Sequence, residues 1–264
     1  PNEIEDLIKY NLSTSLSNSV MANAISKQAE HANKRVGIHI KIDTGMGRLG
    51  VQPDAFTNLV ESVITCKNLK IEGFFTHLSS ADEEDPETTH HQISIFSNLL
   101  QGLPATNFSK MISANKHILF HSANTAGLLR FPESRFNLVR PGISLFGSFP
   151  SPTIASVFDL LEKENKITKL RPVMSWKTKI IQIQTLRKGV SISYGGRYVT
   201  KNDGTRIATI PVGYADGLSR QLSNSMELLV KETRVKQVGT ICMDMCLIDV
   251  TSLPDVKMSD EVVI

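Results

Sequence analysis

The 264 residues are 41% apolar and 21% charged, with 29 basic against 26 acidic side chains and a net charge of +3. That content supports a packed core in one large domain or two smaller ones and excludes a disordered chain, while the near balance of charge, without basic runs interleaved with aromatics, argues against a nucleic-acid partner. The three cysteines, Cys66, Cys242 and Cys246, suit a reducing cytoplasm better than a disulfide framework, and no run has the length of a membrane span or the form of a signal segment.

From residue 1 to about 147, short β-branched or apolar runs alternate with helical patterns, the mark of βαβ units and a parallel sheet. Strands are expected at Leu12–Leu16, Val36–Asp43, Lys70–Thr76, His117–His121 and Phe136–Arg140. Helices are expected at Asn18–Asn33, Pro53–Thr65 and Thr89–Gln101, with Pro53 at a first-turn position that needs no N–H donor. Polar residues gather at the carboxyl ends of these strands: Asp43 with Arg48, then His77, then His121 with Asn124, then Arg140. A (β/α)8 barrel keeps its chemistry there, because the loops leaving the strands converge on one mouth. Five units are legible, and at roughly thirty residues each the other three would fill about ninety residues ahead of Pro1. The chain opens on Pro1 and Asn2 rather than Met and stops on the apolar run Glu261–Ile264 without a turn, so both ends read as cuts.

After a Pro-containing connector at 150–152 and a polar stretch at 162–169 the pattern changes. Thr178–Leu186, Arg206–Val212, Met226–Val230 and Cys242–Val250 read as strands punctuated by Gly, Asn and Asp turns. The expected class is α/β: a partial (β/α)8 TIM barrel over residues 1–165, followed by a β-rich domain over residues 166–264.

Several constellations carry chemistry. Residues 43–50 (DTGMGRLG) contain a literal G-x-G-x-x-G after a strand, with Glu72 at about the spacing of a ribose-binding acid. A dinucleotide site needs the helix to open within the glycines, whereas here it begins only at Pro53, so the context fails. Arg48 among those glycines suggests an anion-binding guanidinium on a stiff loop. His77 closes a strand, where a hydrogen-bonded structural histidine and a catalyst are both compatible. Asn124 and Thr125 stand where a strand gives way to a helix; their N–H groups and the Thr125 hydroxyl suit a phosphate, and N-capping explains the same residues equally well. Arg140-Pro141-Gly142-Ile143 forms another turn after a late barrel strand, where barrel enzymes often hold phosphate. Tyr194 and Tyr214, two of four tyrosines, lie in Gly-rich turns that present a phenol to a ligand. Cys242 and Cys246 lack the second pair or histidines of a zinc knuckle, and no metal is expected.

Taken in order, the seven blocks KIDTGMGRLG (41–50), FFTHLSSAD (74–82), HSANTAGLLRF (121–131), LVRPGISLFG (138–147), SYGGRY (193–198), IPVGYADG (210–217) and VGTICMD (238–244) are similar to those of alanine racemases across nearly the whole chain. The resemblance implies a barrel that holds pyridoxal phosphate (PLP), a β domain, and a cytoplasmic homodimer with shared active sites that supplies D-alanine for the bacterial wall. It makes Tyr194 one of two catalytic bases, delivered to the partner subunit's barrel. The other is the PLP lysine, since racemisation needs a base on each face of the α-carbon. A phenol, with a usual pKa of about 10, is helped in that role by nearby positive charge. His77 and Arg140 match the residues that link this tyrosine to the pyridine nitrogen; an arginine there leaves the nitrogen unprotonated and favours proton exchange over transamination.

Arg48 resembles the residue that positions the phenol and the substrate carboxylate. The N–H of Met243 matches a second carboxylate contact, and Tyr214 a tyrosine at the substrate entrance. Lys41 falls where some members carry a carbamylated lysine. Asn124, Thr125, Gly142 and Ile143 fall, with Arg140, among the cofactor-binding positions, and Thr125 keeps the hydroxyl of a serine common in the family. The PLP lysine would lie before Pro1 and a phosphate-binding tyrosine after Ile264. If the molecule consists of these residues alone, an open barrel and no turnover are expected. A broader-specificity or serine racemase of the same fold is the near alternative. A non-catalytic PLP-binding barrel protein is a more distant one, against which the SYGG and ICMD blocks argue.

Overall fold

Residues 3–103 and 117–264 are described by the computed structural model, which divides after Pro172 into two units. In the first, β1 (Thr14–Leu16), β2 (Val36–Lys41), β3 (Leu69–Phe75) and β4 (Leu119–His121) form a parallel sheet in sequence order, as one arc of a barrel wall does. The helices are α1 (Ile4–Lys9), α2 (Ser19–His31), α3 (Phe56–Ile64), α4 (Glu87–Gln101), α5 (Thr125–Arg130) and α6 (Pro152–Lys163). Asn18 caps α2 by accepting from the Met21 N–H at 2.8 Å.

Alternation along β2 decides what the two faces of the sheet do. Val36, Ile38 and Ile40 are buried in one cluster with Ala22 and Ile25 of α2 and with Phe56, Leu59, Val60 and Val63, which line one face of α3 at helical spacing. Gly37, His39 and Lys41 therefore occupy the opposite face. β3 carries one extra residue at this level: Ile38 pairs with Ile71 and His39 with Gly73, so Glu72 is bulged. The next row aligns Lys41, Phe75 and His121 across the three strands. In the core Phe74 lies edge-on to Phe56 at 5.8 Å and stacks on Phe120 at 5.9 Å.

Two expectations for this unit are corrected. Phe136–Arg140 is not a strand: Phe136 takes a φ of 45°, and the Asn137 side chain, accepting from Phe120 N and donating to Ile118 O, occupies the edge of β4 that a ladder would need. The connector read at 150–152 opens instead into a helix, α6, which runs to the start of the polar stretch read at 162–169 and is started by Pro152 at its first position and by Ser151, which accepts from the Ile154 N–H. Its buried residues, Ile154 and Phe158, were masked in the sequence by the polar residues around them.

The second unit is antiparallel. Its strands are β5 (Lys177–Lys179), β6 (Gln182–Leu186), β7 (Ser191–Ile192), β8 (Tyr198–Val199), β9 (Thr205–Ile210), β10 (Glu227–Val230), β11 (Thr233–Val238), β12 (Cys246–Asp249) and β13 (Glu261–Val263). Seven of them run in the order β5-β13-β10-β11-β12-β9-β6, and β7 pairs with β8. The two edges, β5 and β6, are consecutive in sequence, so one continuous segment serves both. The run Thr178–Leu186 is thus broken at residues 180–181, where Ile180 N donates to Asp260 O and Ile181 N to Thr209 O as the chain changes partners. Cys242–Met245 is a turn rather than strand, closed by Cys242 N to Met245 O at 2.9 Å. Among the described residues no helix is long and apolar enough to cross a membrane.

Phe56→Ala should destabilise the first unit by about 3–5 kcal/mol, the cost of emptying a fully buried aromatic site. Equilibrium denaturation of the variant beside the unsubstituted protein checks it.

Candidate active site

The loop after β2 is organised by one carboxylate. Asp43 Oδ1 accepts from the N–H groups of Gly45, Met46 and Gly47 at 3.0, 2.9 and 3.0 Å, while Gly45, Gly47 and Gly50 take φ values of 134°, 67° and 136°. At Gly50 a Cβ would stand 2.5 Å from the backbone nitrogen of Asp43, so no other residue fits the bend. The N–H groups a nucleotide phosphate would need already bind Asp43, which disposes of the dinucleotide reading. Burial alone would raise the Asp43 carboxyl, but the three N–H donors and then Lys41 outweigh it and hold it below the usual carboxylate range. Arg48 leaves this loop exposed to solvent. Lys41 is buried, with its ammonium 5.7 Å from the centre of the Phe75 ring. Burial, then Arg48, lower its pKa against the pull of Asp43, with Arg140 adding to the lowering.

Gln92, not singled out in the sequence, ties this loop to the next. It is buried in α4, donates to Thr44 Oγ1 at 3.5 Å and His77 O at 3.2 Å, and accepts from the Ser79 N–H at 2.9 Å. A polar residue at an apolar position of an amphipathic helix, between Thr89 and Ile93, was the available signal.

Arg140 is half-buried and held by acceptors from two strand ends. Nη2 donates to Thr76 O at 2.8 Å and Ser122 O at 3.2 Å and lies 3.4 Å from His77 Nδ1, while Nη1 donates to His121 Nδ1. Nε has no acceptor among the described residues. Burial lowers the Arg140 pKa to about 10, so it stays charged at neutral pH. Burial, then Arg140, Arg48 and Lys41, lower His77. Lys41 and His77 thus both feel the charges of Arg48 and Arg140.

Beside Arg140 the Thr125 hydroxyl accepts from the Gly142 N–H at 2.9 Å and lies 3.4 Å from Ser144 Oγ, joining two turns. The Asn124 side chain caps α5 through the Gly127 N–H and donates to Leu78 O. Among the described residues the N–H groups of Ile143 and Ser144 have no acceptor, and a Cβ on Gly142 would meet nothing nearer than Thr125 Oγ1 at 3.9 Å. The result is an open turn rich in donors. No group of three or more His, Cys, Asp or Glu placed to hold a metal occurs among the described residues.

In the second unit three turns far apart in sequence form one corner. Thr240 Oγ1 donates to Tyr194 O, Ser193 Oγ donates to Thr240 O, and Tyr214 N donates to Cys242 O. Gly213 lies so close to this corner that a Cβ would come within 2.2 Å of Met243 O. Tyr194, Tyr214 and Met243 are 68%, 47% and 55% exposed on it.

Residues 1–150 match the family model "Alanine racemase, N-terminal domain" and residues 173–264 match "Alanine racemase, C-terminal domain". The chain belongs to the alanine racemase family. An alanine racemase of Halothermothrix orenii is 39% identical over the whole chain, which spans 65% of that relative. The structure of a Clostridium difficile 630 alanine racemase superposes with a TM-score of 0.83 at 32% identity, over 99% of this chain and 64% of that one. An alanine racemase from Bacillus anthracis, described with bound L-Ala-P, superposes with a TM-score of 0.78 at 29% identity, over all of this chain and 64% of that one.

In this member of the alanine racemase family His39, His77 and His121 are all held below the ordinary value of 6.5. As pH falls through about 6.5 the unfolded chain takes up protons that the folded one resists, so stability is lost on the acid side. Asp43, held low, adds a further loss only when pH falls through the carboxylate range. A series of thermal melts should therefore show Tm falling from about pH 7 to about pH 5, less steeply in His121→Asn; a flat profile would contradict the histidine assignments.

Proposed function

We propose that the protein carrying this chain is an alanine racemase that interconverts L- and D-alanine with pyridoxal phosphate, as a homodimer whose active sites take residues from both subunits. Arg140 carries the reading: its Nη groups are engaged by neutral acceptors, and its Nε–H is left without one, beside a turn with two unengaged N–H groups. A cofactor with a phosphate at one end and a basic ring nitrogen at the other meets donors at both, so the residues present fit pyridoxal phosphate. Thr125, Gly142 and Ile143 would hold the phosphate, with Asn124 fixing the turn, and Arg140 would face the ring nitrogen. When bound, this group draws electrons from the α-carbon of an attached amino acid and so eases loss of its hydrogen.

The chain's own residues supply the rest. Arg48 would orient the substrate carboxylate together with the N–H of Met243. The Tyr194 hydroxyl would take the α-hydrogen from one face and return it to that face in the reverse direction, with the charged Arg140 providing the positive surroundings a phenolate needs and the neutral His77 linking the phenol to it. Exposure of Tyr194, Tyr214 and Met243 on one corner supports their delivery to the partner subunit's barrel, Tyr214 at the entrance. The second base, the lysine that carries the cofactor in the family's pattern, falls outside the 264 residues, so the proposal is for the protein that supplies it. The three cysteines are free, in keeping with a cytoplasmic setting, from which the product D-alanine would supply the wall. The match of residues 173–264 to a racemase domain speaks against the non-catalytic barrel.

Because L- and D-alanine are equally stable, kcat/KM in the two directions must fall together in any variant, and only α-hydrogen exchange separates the bases. In Tyr194→Phe of the intact, cofactor-loaded protein, racemisation should fall roughly 100- to 10,000-fold. One enantiomer should still exchange its α-hydrogen with D2O in place, and the other should not. Unchanged racemisation would remove Tyr194 from the mechanism, and faster turnover of serine than of alanine would shift the reading to a serine racemase.

Lys41, with a lowered pKa and two arginines acting on it, keeps a larger share of neutral amine, the form that adds CO2 to give a carbamate and a proton. With 13C-bicarbonate a carbamate resonance is expected that Lys41→Ala lacks and that disappears as pH is lowered; the same resonance in the variant would assign it elsewhere.

A further inference from the structure

On the inner face of the sheet two histidines 82 residues apart in sequence meet. β2 delivers His39 and β4 delivers His121. Gly73 on the strand between them leaves the room, since a Cβ there would stand 2.5 Å from His39 Nδ1 and 2.6 Å from the Leu119 carbonyl oxygen. His121 is buried and lies flat on the Phe75 ring, with centroids 4.8 Å apart. Its Nε2 is 2.9 Å from His39 Nδ1, and its Nδ1 accepts from Arg140 Nη1.

The protons can be placed by elimination. A guanidinium only donates, so His121 Nδ1 must be the bare nitrogen and its proton must sit on Nε2. That N–H donates to His39 Nδ1, which must be bare as well, so His39 carries its proton on Nε2. Protonating His121 would set two donors against each other, and burial, then Arg140 and His39, push it down to about 3. Burial lowers His39 too, with Glu72 opposing and Arg140 adding. The charged groups facing the pair are Arg140, Glu72 and, across the Phe75 ring, Lys41.

Resting on the reading of Arg140 as the residue at the cofactor ring, we infer that His121 and His39 are positioning residues, an uncharged pair of fixed tautomer that holds the Arg140 guanidinium without neutralising it. A carboxylate at residue 121 would bind the guanidinium more strongly but cancel its charge, and an apolar side chain would leave Nη1–H without an acceptor. His39 acts one link further out, by deciding which nitrogen of His121 carries the proton.

Nitrogen-15 NMR of the intact protein, without cofactor and then loaded, reads these tautomers directly. His121 is expected to show a bare Nδ1 and a protonated Nε2, unchanged from about pH 9 to about pH 5. His121→Asn, whose amide oxygen reaches the Nδ1 position, should keep most of kcat and the visible spectrum of the bound cofactor. His121→Leu should shift that spectrum and lower kcat about tenfold while KM for alanine changes less than about twofold. His39→Leu should cost less than His121→Leu and leave His121 as a mixture of tautomers. A protonated Nδ1, or titration of His121 within that range, would overturn the inference whether or not the leucine variant folds. So would an active wild type whose spectrum and kcat survive His121→Leu. A wild type that loads cofactor but does not racemise alanine would instead overturn the functional reading, with the tautomers still deciding the role of the pair.

Discussion

The chemistry of the first unit depends on how a partly desolvated guanidinium is held. Arg140 has given up enough water for its pKa to drop to about 10, yet the groups that bind it are all neutral: two backbone carbonyls and two imidazoles. Neutral acceptors satisfy its donors and leave its charge uncancelled, which a carboxylate would not do. Each acceptor comes from the carboxyl end of β3 or β4 or the residues just after it, so parallel pairing of neighbouring strands is what assembles the cradle. The same pairing brings Lys41, Phe75 and His121 into one row.

A second consequence is electrostatic. Lys41, Arg48 and Arg140 gather where Asp43 is the nearby carboxylate and its Oδ1 already binds three N–H groups. A region so constituted favours an anionic ligand. Two turns joined by the Thr125 hydroxyl stand next to it, one of them with the unengaged N–H groups of Ile143 and Ser144. The second unit contributes a different kind of surface: a corner closed by backbone contacts too tight for a side chain at Gly213, which leaves two phenols and a methionine exposed.

Much of this was legible in the sequence because it rests on local rules. Strand-end polar residues pointed to Asp43, His77 and Asn124, Arg140 was singled out at the end of a strand that does not form, and glycines flanking Tyr194 and Tyr214 pointed to presented phenols. His39 went unremarked, although period-two alternation along β2 sets it on the same face as Lys41, and nothing in the sequence said that Gly73 would let it reach His121. Gln92 was hidden because a buried glutamine looks like an ordinary helix residue until its three partners come from two loops distant in sequence. Phe136–Arg140 failed as a strand for a related reason: a side chain, that of Asn137, took the edge that apolar pattern assigned to backbone. Helix α6 was obscured by Pro152, read as part of a connector where it serves as a first-turn residue.

The central claim is that Arg140 meets the cofactor as an unneutralised cation. The most direct measurement is the nitrogen-15 resonance of ring-labelled pyridoxal phosphate bound to the intact protein. A bare ring nitrogen, staying bare across the neutral range, is the predicted result. A protonated ring nitrogen would contradict it, because a charged guanidinium could not then be its hydrogen-bond partner.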